Sequence, residues 1–415
     1  MNLKLTPLFV TLFLSIHSYA STSPIEISGQ ARVRGESKTN GDYNSTLADR
    51  NAFTASRFRL NFTARPTDSK GSVFFQPQFT KIWGQNKVAP VDGGATTSVQ
   101  SSGALNDTVL DVHQAYIDYS ILSKLSLRAG RQDLSFGDQL IVGGVDWHNV
   151  GRSFDAGMLT YKIDENYKAQ FFSGKLVDQN ITTSSNGDFD FLGLYFSSEN
   201  LSFAKNLDFY VLDKADHRGT SDSDIYIFGT RIKSKINAFD YRFESTFQNG
   251  RVVSNKKRHG EYQYDLELGY QIVALKSRLA LEYFDSTKDY DQVMPTAHKW
   301  LGYADQFSRR NIRGYAFHIQ SNVVESVTLK VDYQLFERHN TEFGAYDFSG
   351  TSLGTVGTSK KIADELDFSV DYAVDQNLSL TAGHSIVMPK KYITDQNAQS
   401  KDNTSWSYLQ MLVKF

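Results

Sequence analysis

The sequence predicts an all-β protein: a single transmembrane antiparallel β-barrel of about 18 strands, with short periplasmic turns and long extracellular loops. Three observations predict it. Apolar and polar residues alternate with period 2 in stretch after stretch, the connections between stretches alternate short and long, and the chain ends on an amphipathic strand closed by the aromatic Phe415.

Successive side chains of a strand point to opposite faces. A strand with lipid on one side and water on the other therefore reads apolar-out and polar-in over about 10 residues. The first such stretch sets Ile25, Ile27, Gly29, Ala31 and Val33 outward, against Glu26, Ser28, Gln30, Arg32 and Arg34 inward. The next sets Phe58, Leu60, Phe62 and Ala64 against Arg57, Arg59, Asn61, Thr63 and Arg65. Further along, Phe239, Tyr241 and Phe243 alternate with Asp240, Arg242 and Glu244, and Tyr262 to Tyr270 with Gln263, Asp265, Glu267 and Gln271. Val327, Leu329, Val331 and Tyr333 alternate with Thr328, Lys330, Asp332 and Gln334; Leu366, Phe368, Val370 and Tyr372 alternate with Glu365, Asp367, Ser369 and Asp371. One face of a soluble sheet meets water and would not carry Phe and Tyr in strand after strand.

The short connections are 66–70, 120–124, 164–166, 234–237 and 375–377; the long ones are 37–51, 84–107, 134–152, 286–309, 338–361 and 388–403. Short periplasmic turns and long outer loops are the barrel pattern, and an even strand count puts both termini on the periplasmic side. On the last strand Leu409, Met411, Val413 and Phe415 take the outward positions. Such a terminal aromatic is the mark that the barrel assembly machinery reads.

Composition agrees. The chain of 415 residues carries 29 Phe and 22 Tyr, 7 Pro and no Cys. The absence of Cys excludes disulfides, thiol catalysis and thiolate metal sites. With 44 basic and 46 acidic residues the chain lacks the basic excess of a nucleic-acid binder. Residues 1–20 read as a secretory signal peptide: Lys4 is basic, Leu8 to Ile16 is apolar, and Ser18-Tyr19-Ala20 is a small-x-small cleavage site. Residues 21–415 then form one barrel in the outer membrane of a Gram-negative bacterium, surrounded by its lipid. No cofactor is expected, since phosphate-loop, paired-His zinc and dinucleotide patterns are absent.

The stretch Leu127-Arg128-Ala129-Gly130-Arg131-Gln132 runs through Phe136-Gly137-Asp138 into Asp146-Trp147-His148-Asn149 and Gly151-Arg152-Ser153-Phe154-Asp155. With the run from Pro295 to Phe307 and with Glu365-Leu366-Asp367, it resembles the alginate export family of outer-membrane porins over nearly the whole mature chain. The resemblance implies a barrel of about 18 strands whose lumen arginines help an acidic polysaccharide across the membrane, and it raises a periplasmic export partner. The inward residues of the later strands are strongly acidic, from Asp240 to Asp371, which leaves the anion's identity open.

Arg32, Arg34, Arg57 and Arg59 share the inward parity of adjacent strands, with Arg128, Arg131 and Arg152 further on as pore-lining candidates. Guanidinium forks match carboxylates and concentrate anions in a low-dielectric channel. The same arginines can instead be a structural ladder paired with Glu26, Glu36, Asp118 or the opposite acidic wall. Asp138, Trp147, Arg152 and Asp155 mark the third long loop as a constriction, and Glu365 and Asp367 belong to the acidic wall. His298 suits a loop contact better than a metal ligand, having no second His a helical turn away. Gly350-Thr351-Ser352-Leu353-Gly354 matches a nucleophile-elbow pattern but lies in a Ser/Gly-rich loop. The leading expectation is a passive pore for an anionic saccharide or small anion. A general diffusion porin is the near alternative. A lipase-type barrel is the rival from another class, recognisable by an outward Ser beside an outward His among His113, His318 and His384, and a plugged structural barrel is a third.

Overall fold

The computed structural model describes residues 25–46, 49–83, 109–177, 188–217, 223–252, 257–355 and 357–415; the expected signal peptide and the second long loop, 84–107, lie outside them. The first nine strands are β1 (Ile25–Thr39), β2 (Asn51–Ala64), β3 (Gly71–Ile82), β4 (Val109–Leu122), β5 (Leu125–Gln132), β6 (Phe154–Lys162), β7 (Tyr167–Val177), β8 (Phe189–Glu199) and β9 (Asn206–Asp216). The rest are β10 (Ser223–Ile236), β11 (Phe239–Val252), β12 (Lys257–Ile272), β13 (Ser277–Ser286), β14 (Ile312–Val324), β15 (Val327–Arg338), β16 (Lys361–Ala373), β17 (Leu378–Pro389) and β18 (Thr404–Lys414). Each strand pairs antiparallel with its sequence neighbours, and β1 pairs with β18, so the 18-stranded sheet closes on itself. Closure leaves no unpaired edge, the condition for a sheet to sit in hydrocarbon.

The alternation read from the sequence is the alternation of the wall. Phe58, Leu60, Phe368, Val370, Leu409 and Met411 are exposed on the outside, while Arg32, Arg57, Arg242, Asp265, Glu365 and Asp367 are buried inside. Large exposed apolar side chains are stable there only because lipid covers them. Among the described residues no helix is long and apolar enough to cross a membrane.

The seam depends on a close approach. Gly29 and Phe415 exchange two backbone hydrogen bonds, at 2.7 and 3.0 Å. A Cβ on Gly29 would lie 2.7 Å from the Phe415 ring, so only glycine leaves room for the terminal aromatic.

The loops at the opposite end from the termini are numbered here in chain order. Loop 3 (133–153) and loop 7 (287–311) fold into the barrel, and a short helix, Lys391–Gln396, lies in loop 9. One irregularity bears on the site. Gln76 pairs with Gln114 and Pro77 with Val112, so His113 is squeezed out as a bulge. Pro77 has no N–H to continue the ladder.

Candidate pore constriction

Loop 3 leaves β5, crosses the lumen and returns at β6, held differently on its two sides. On one side the four inward arginines of β1 and β2 grip its backbone. Arg32 donates to the carbonyls of Asp146 and His148, at 2.8 and 3.1 Å. Arg57 donates to the same two at 2.9 and 3.2 Å. Arg34 donates to the Trp147 carbonyl at 2.7 Å, and Arg59 and Gln78 share the Val150 carbonyl at 3.1 and 2.8 Å. A loop buried in a lumen needs donors for its carbonyls, and each guanidinium brings five. Arg32 and Arg57 face each other across paired strands, a like-charge contact that these acceptors offset.

The Asp146 carboxylate closes the grip, 3.0 Å from Arg57 and 2.7 Å from Arg59. It is ringed by protein yet 69% exposed to lumen water. Burial pushes this carboxyl up, but Arg57, Arg59 and Arg32 outweigh that and hold it well below the ordinary carboxylate range. A depressed folded-state value means that Asp146 contributes fully above its unfolded value of about 3.9 and loses its contribution only as pH falls below that. Conductance should therefore stay constant from roughly pH 8 to pH 5. A change in channel size within that window would show that another group controls docking.

The other side of loop 3 is apolar. Leu134, Leu140, Ile141 and Val142 form one buried cluster with Phe154, Phe172, Phe191, Leu212, Ile225 and Ile227 of β6–β10. Phe136 stacks between Phe172 and Tyr195, with centroids at 5.2 and 4.7 Å. These wall residues break the polar-in rule because they face protein instead of water.

Loop 7 completes the constriction. Gly143 N–H donates to the Met294 carbonyl and Met294 N–H to the Ile141 carbonyl, both at 2.9 Å. Arg152 donates to Met294 and Gly143 carbonyls at 2.6 and 3.0 Å, joining the two loops. Val145 and Val293 hold φ of 53° and 58°, costly for β-branched residues, so the docking enforces a backbone the chain would not otherwise choose. Loop 7 is tied to the wall by Ala304, whose N–H donates to Glu365 at 2.8 Å and whose carbonyl accepts from Lys38 at 2.7 Å. Gly302, at φ +83°, packs where any Cβ would strike the Glu365 carboxylate. Asp367 accepts from Ser385 of β17.

The remaining candidates divide. Asp138 sits in the lumen against Arg231 at 2.9 Å and Lys233 at 3.2 Å, and its carbonyl takes Lys299 at 3.1 Å. Burial raises the Asp138 carboxyl, but Arg231 and Lys233 more than offset this and leave it below its ordinary value. Lys299 is pushed down by burial and by the cations Lys233, Arg242 and Arg231, against the pull of Asp138. Arg128 forms a bidentate pair with Asp118 at 2.7 and 2.8 Å under the Tyr116 ring, on the inner wall. Trp147 is at the constriction, but neither face is free for a sugar. His298 stacks on it at 4.1 Å, and the guanidinium of Arg34 lies 3.9 Å from its ring centroid.

Four expectations need correction. Arg131 and Asp155, paired at 3.3 Å, lie on the outer face: Arg131 is opposite Ala115, in the row of exposed Ile117. Arg131 lies three positions after Arg128, and odd spacing on a regular strand reverses the face. His113 is buried, turned from the outward row by the Pro77 bulge. His318 faces inward between Asp332 and Glu282. Of the three candidate histidines only His384 stays outward, 2.7 Å from Ser407 on β18. The positions flanking that pair are Phe368 on β16 and Ser37 on β1, neither an acid that could orient an imidazole. Gly350 to Gly354 lies in loop 8, where Ser352 bridges Tyr346 without a strand-turn-helix.

Sequence reasoning missed Gln78, Arg231, Lys233 and Lys299. Lys233 and Arg231 were readable, since they share the inward parity of β10. Above the constriction, toward the loop end, an open cavity of about 1010 Å³ is lined by Arg34, Lys38, Tyr43, Trp147, Tyr303 and Trp406 among others.

The family model for alginate export matches residues 23–405, nearly the whole described barrel. The chain belongs to the alginate export family. Solved structures share the architecture of this alginate-export barrel at low sequence identity, and so inform on fold alone. A BenF-like porin from Pseudomonas fluorescens Pf-5 aligns with TM-score 0.65 at 11% identity, covering 94% of this chain and 99% of that one. Acinetobacter baumannii OccAB4 aligns with TM-score 0.64 at 11% identity, covering 95% and 99%. Pseudomonas aeruginosa OccK11 (OpdR) aligns with TM-score 0.60 at 11% identity, covering 95% and 96%. No curated protein sequence matches the chain significantly. Family and closed barrel together make the protein an outer-membrane porin of a Gram-negative bacterium.

Proposed function

We propose that this alginate-export barrel passes small anions or an anionic saccharide passively through the constriction that loops 3 and 7 together form in the lumen, without catalysis. The observation that supports this best is the charge balance of the loop 3 anchor. Four guanidiniums, Arg32, Arg34, Arg57 and Arg59, face two carboxylates, Asp146 and Glu36. Hydrogen bonds to carbonyls satisfy donors but cancel no charge, so the wall keeps a positive field while serving as a ladder. The guide and ladder roles of these arginines coexist on one set of side chains.

Lys233 and Lys299 are the solvent-facing cations of the constriction, the former 47% exposed. The double variant Lys233→Gln/Lys299→Gln leaves the β1–β2 arginine grip on loop 3 in place, and Asp138 keeps its pair with Arg231. Its reversal potential in a salt gradient should move toward cation preference, and the shift should shrink at high salt as the Debye length falls from about 10 Å at 0.1 M to about 3 Å at 1 M. Single-channel recordings with oligouronates should show transient blockades. An unchanged reversal potential together with no blockades would favour the general diffusion porin. That second reading draws on the acidic side chains of the outer cavity, Glu36, Asp42, Asp49, Asp305 and Asp347, set against Arg34 and Lys38.

Two processing steps belong to the same reading. The mature chain begins at Ser21, tested by N-terminal sequencing of outer-membrane material; a retained apolar stretch contradicts the cleavage. Phe415 is read by the barrel assembly machinery, and any periplasmic export partner engages the turn end of the barrel.

A further inference from the structure

We propose that the inner wall at β12–β14 holds a divalent transition-metal ion between His318, Glu282 and Glu267. Ligand atoms of these three side chains all lie within 4.8 Å of one another. His318 is the pivot. Its Nδ1 is 2.6 Å from Asp332 on β15 and its Nε2 is 3.0 Å from a Glu282 oxygen. If Nδ1–H donates to Asp332, the Nε2 lone pair points at a carboxylate. Two lone pairs at that distance repel unless a cation lies between them, either a proton on Nε2 or a metal ion. A His fixed by a carboxylate on one nitrogen and offered to a metal on the other is the usual build of a metal-bound imidazole.

The neighbouring cations leave the ligand oxygens open. Arg242 on β11 sits 2.7 Å from Asp265 but only 3.5 Å from Glu282 and 3.6 Å from Glu267. Asp265 also takes Arg309, and Arg278 takes the other oxygen of Glu267 and Asp240. Glu282 is 5% exposed, and its Oε1 makes no hydrogen bond, having only the 3.5 Å ion-pair contact with Arg242. A buried carboxylate oxygen held only by so long a contact is poorly satisfied, and a bound cation would supply what is missing. One imidazole and two carboxylates give three protein ligands, the number used at open zinc sites, with the fourth position left to lumen water. His318 and Glu267 are 22% and 19% exposed, so the site is reachable from the channel.

Binding displaces the Nε2 proton, which leaves for solvent as the nitrogen takes the metal. Zinc chloride titrated into the folded barrel in detergent, by calorimetry in two buffers of different ionisation enthalpy, should show one site and release of about one proton per ion at pH 7. His318→Gln should lose the site. Asp332→Asn, which keeps all three ligands, should weaken it by about 10–100-fold. Heat-modifiability on a gel confirms that each variant is folded, and Glu282→Gln serves as a second ligand variant if His318→Gln is not. No zinc binding by the wild type, equal binding by wild type and a folded ligand variant, or binding without proton release would each overturn the proposal.

Discussion

Replacing Arg57 and Arg59 together by Gln should release loop 3 from the wall while the barrel itself still folds. The two side chains supply three contacts to loop 3 carbonyls and both ion pairs to Asp146. Charge-assisted hydrogen bonds contribute about 1.5–3 kcal/mol each, so the pair removes roughly 3 kcal/mol or more of docking. At about 1.4 kcal/mol per factor of ten, the undocked population rises by roughly a hundredfold or more. The strand ladder is untouched, and lumen substitutions disturb folding less than substitutions on the lipid face. Single-channel conductance and open-channel noise should both rise, and heat stability should fall. If conductance, noise and stability are all unchanged and only ion preference shifts, the arginines guide anions without anchoring the loop.

Deleting Phe415 should lower the yield of folded barrel more than any single lumen substitution, while export to the periplasm continues. The deletion removes both backbone hydrogen bonds to Gly29 at the β1–β18 seam. Opened in lipid, each unsatisfied backbone group costs several kcal/mol. Phe415→Ala separates two contributions, since it keeps the backbone bonds and loses only the ring. Heat-modifiability and surface protease access read the outcome. Normal folding of Phe415→Ala alongside failure of the deletion would assign the effect to the seam bonds; normal folding of both would show that neither seam nor aromatic matters.

The barrel was legible because period 2 is a geometric property of the extended strand backbone, and lipid on one side makes the pattern stark. Arg32, Arg34, Arg57 and Arg59 fell on the inside for that reason. Two of the three named ladder acids pair as expected within the candidate set, Glu36 with Arg34 and Asp118 with Arg128, whereas Glu26 takes Arg65. The main partner of the ladder was not legible. Backbone carbonyls of loop 3 carry no residue identity, so no side-chain pattern announces them. Arg131 was misplaced by ignoring the parity that placed Arg128, and His113 by a bulge that a single proline induces. The apolar inner face of β6–β10 breaks the alternation because loop 3 covers it, a contact made only in three dimensions.

The sign of the zero-current potential of the wild-type channel in a potassium chloride gradient tests the central claim most directly. A constriction with a net basic anchor and two solvent-facing lysines predicts a measurable conductance with anion preference, strongest at low salt. A cation-preferring potential, or a folded barrel that conducts nothing, would contradict it.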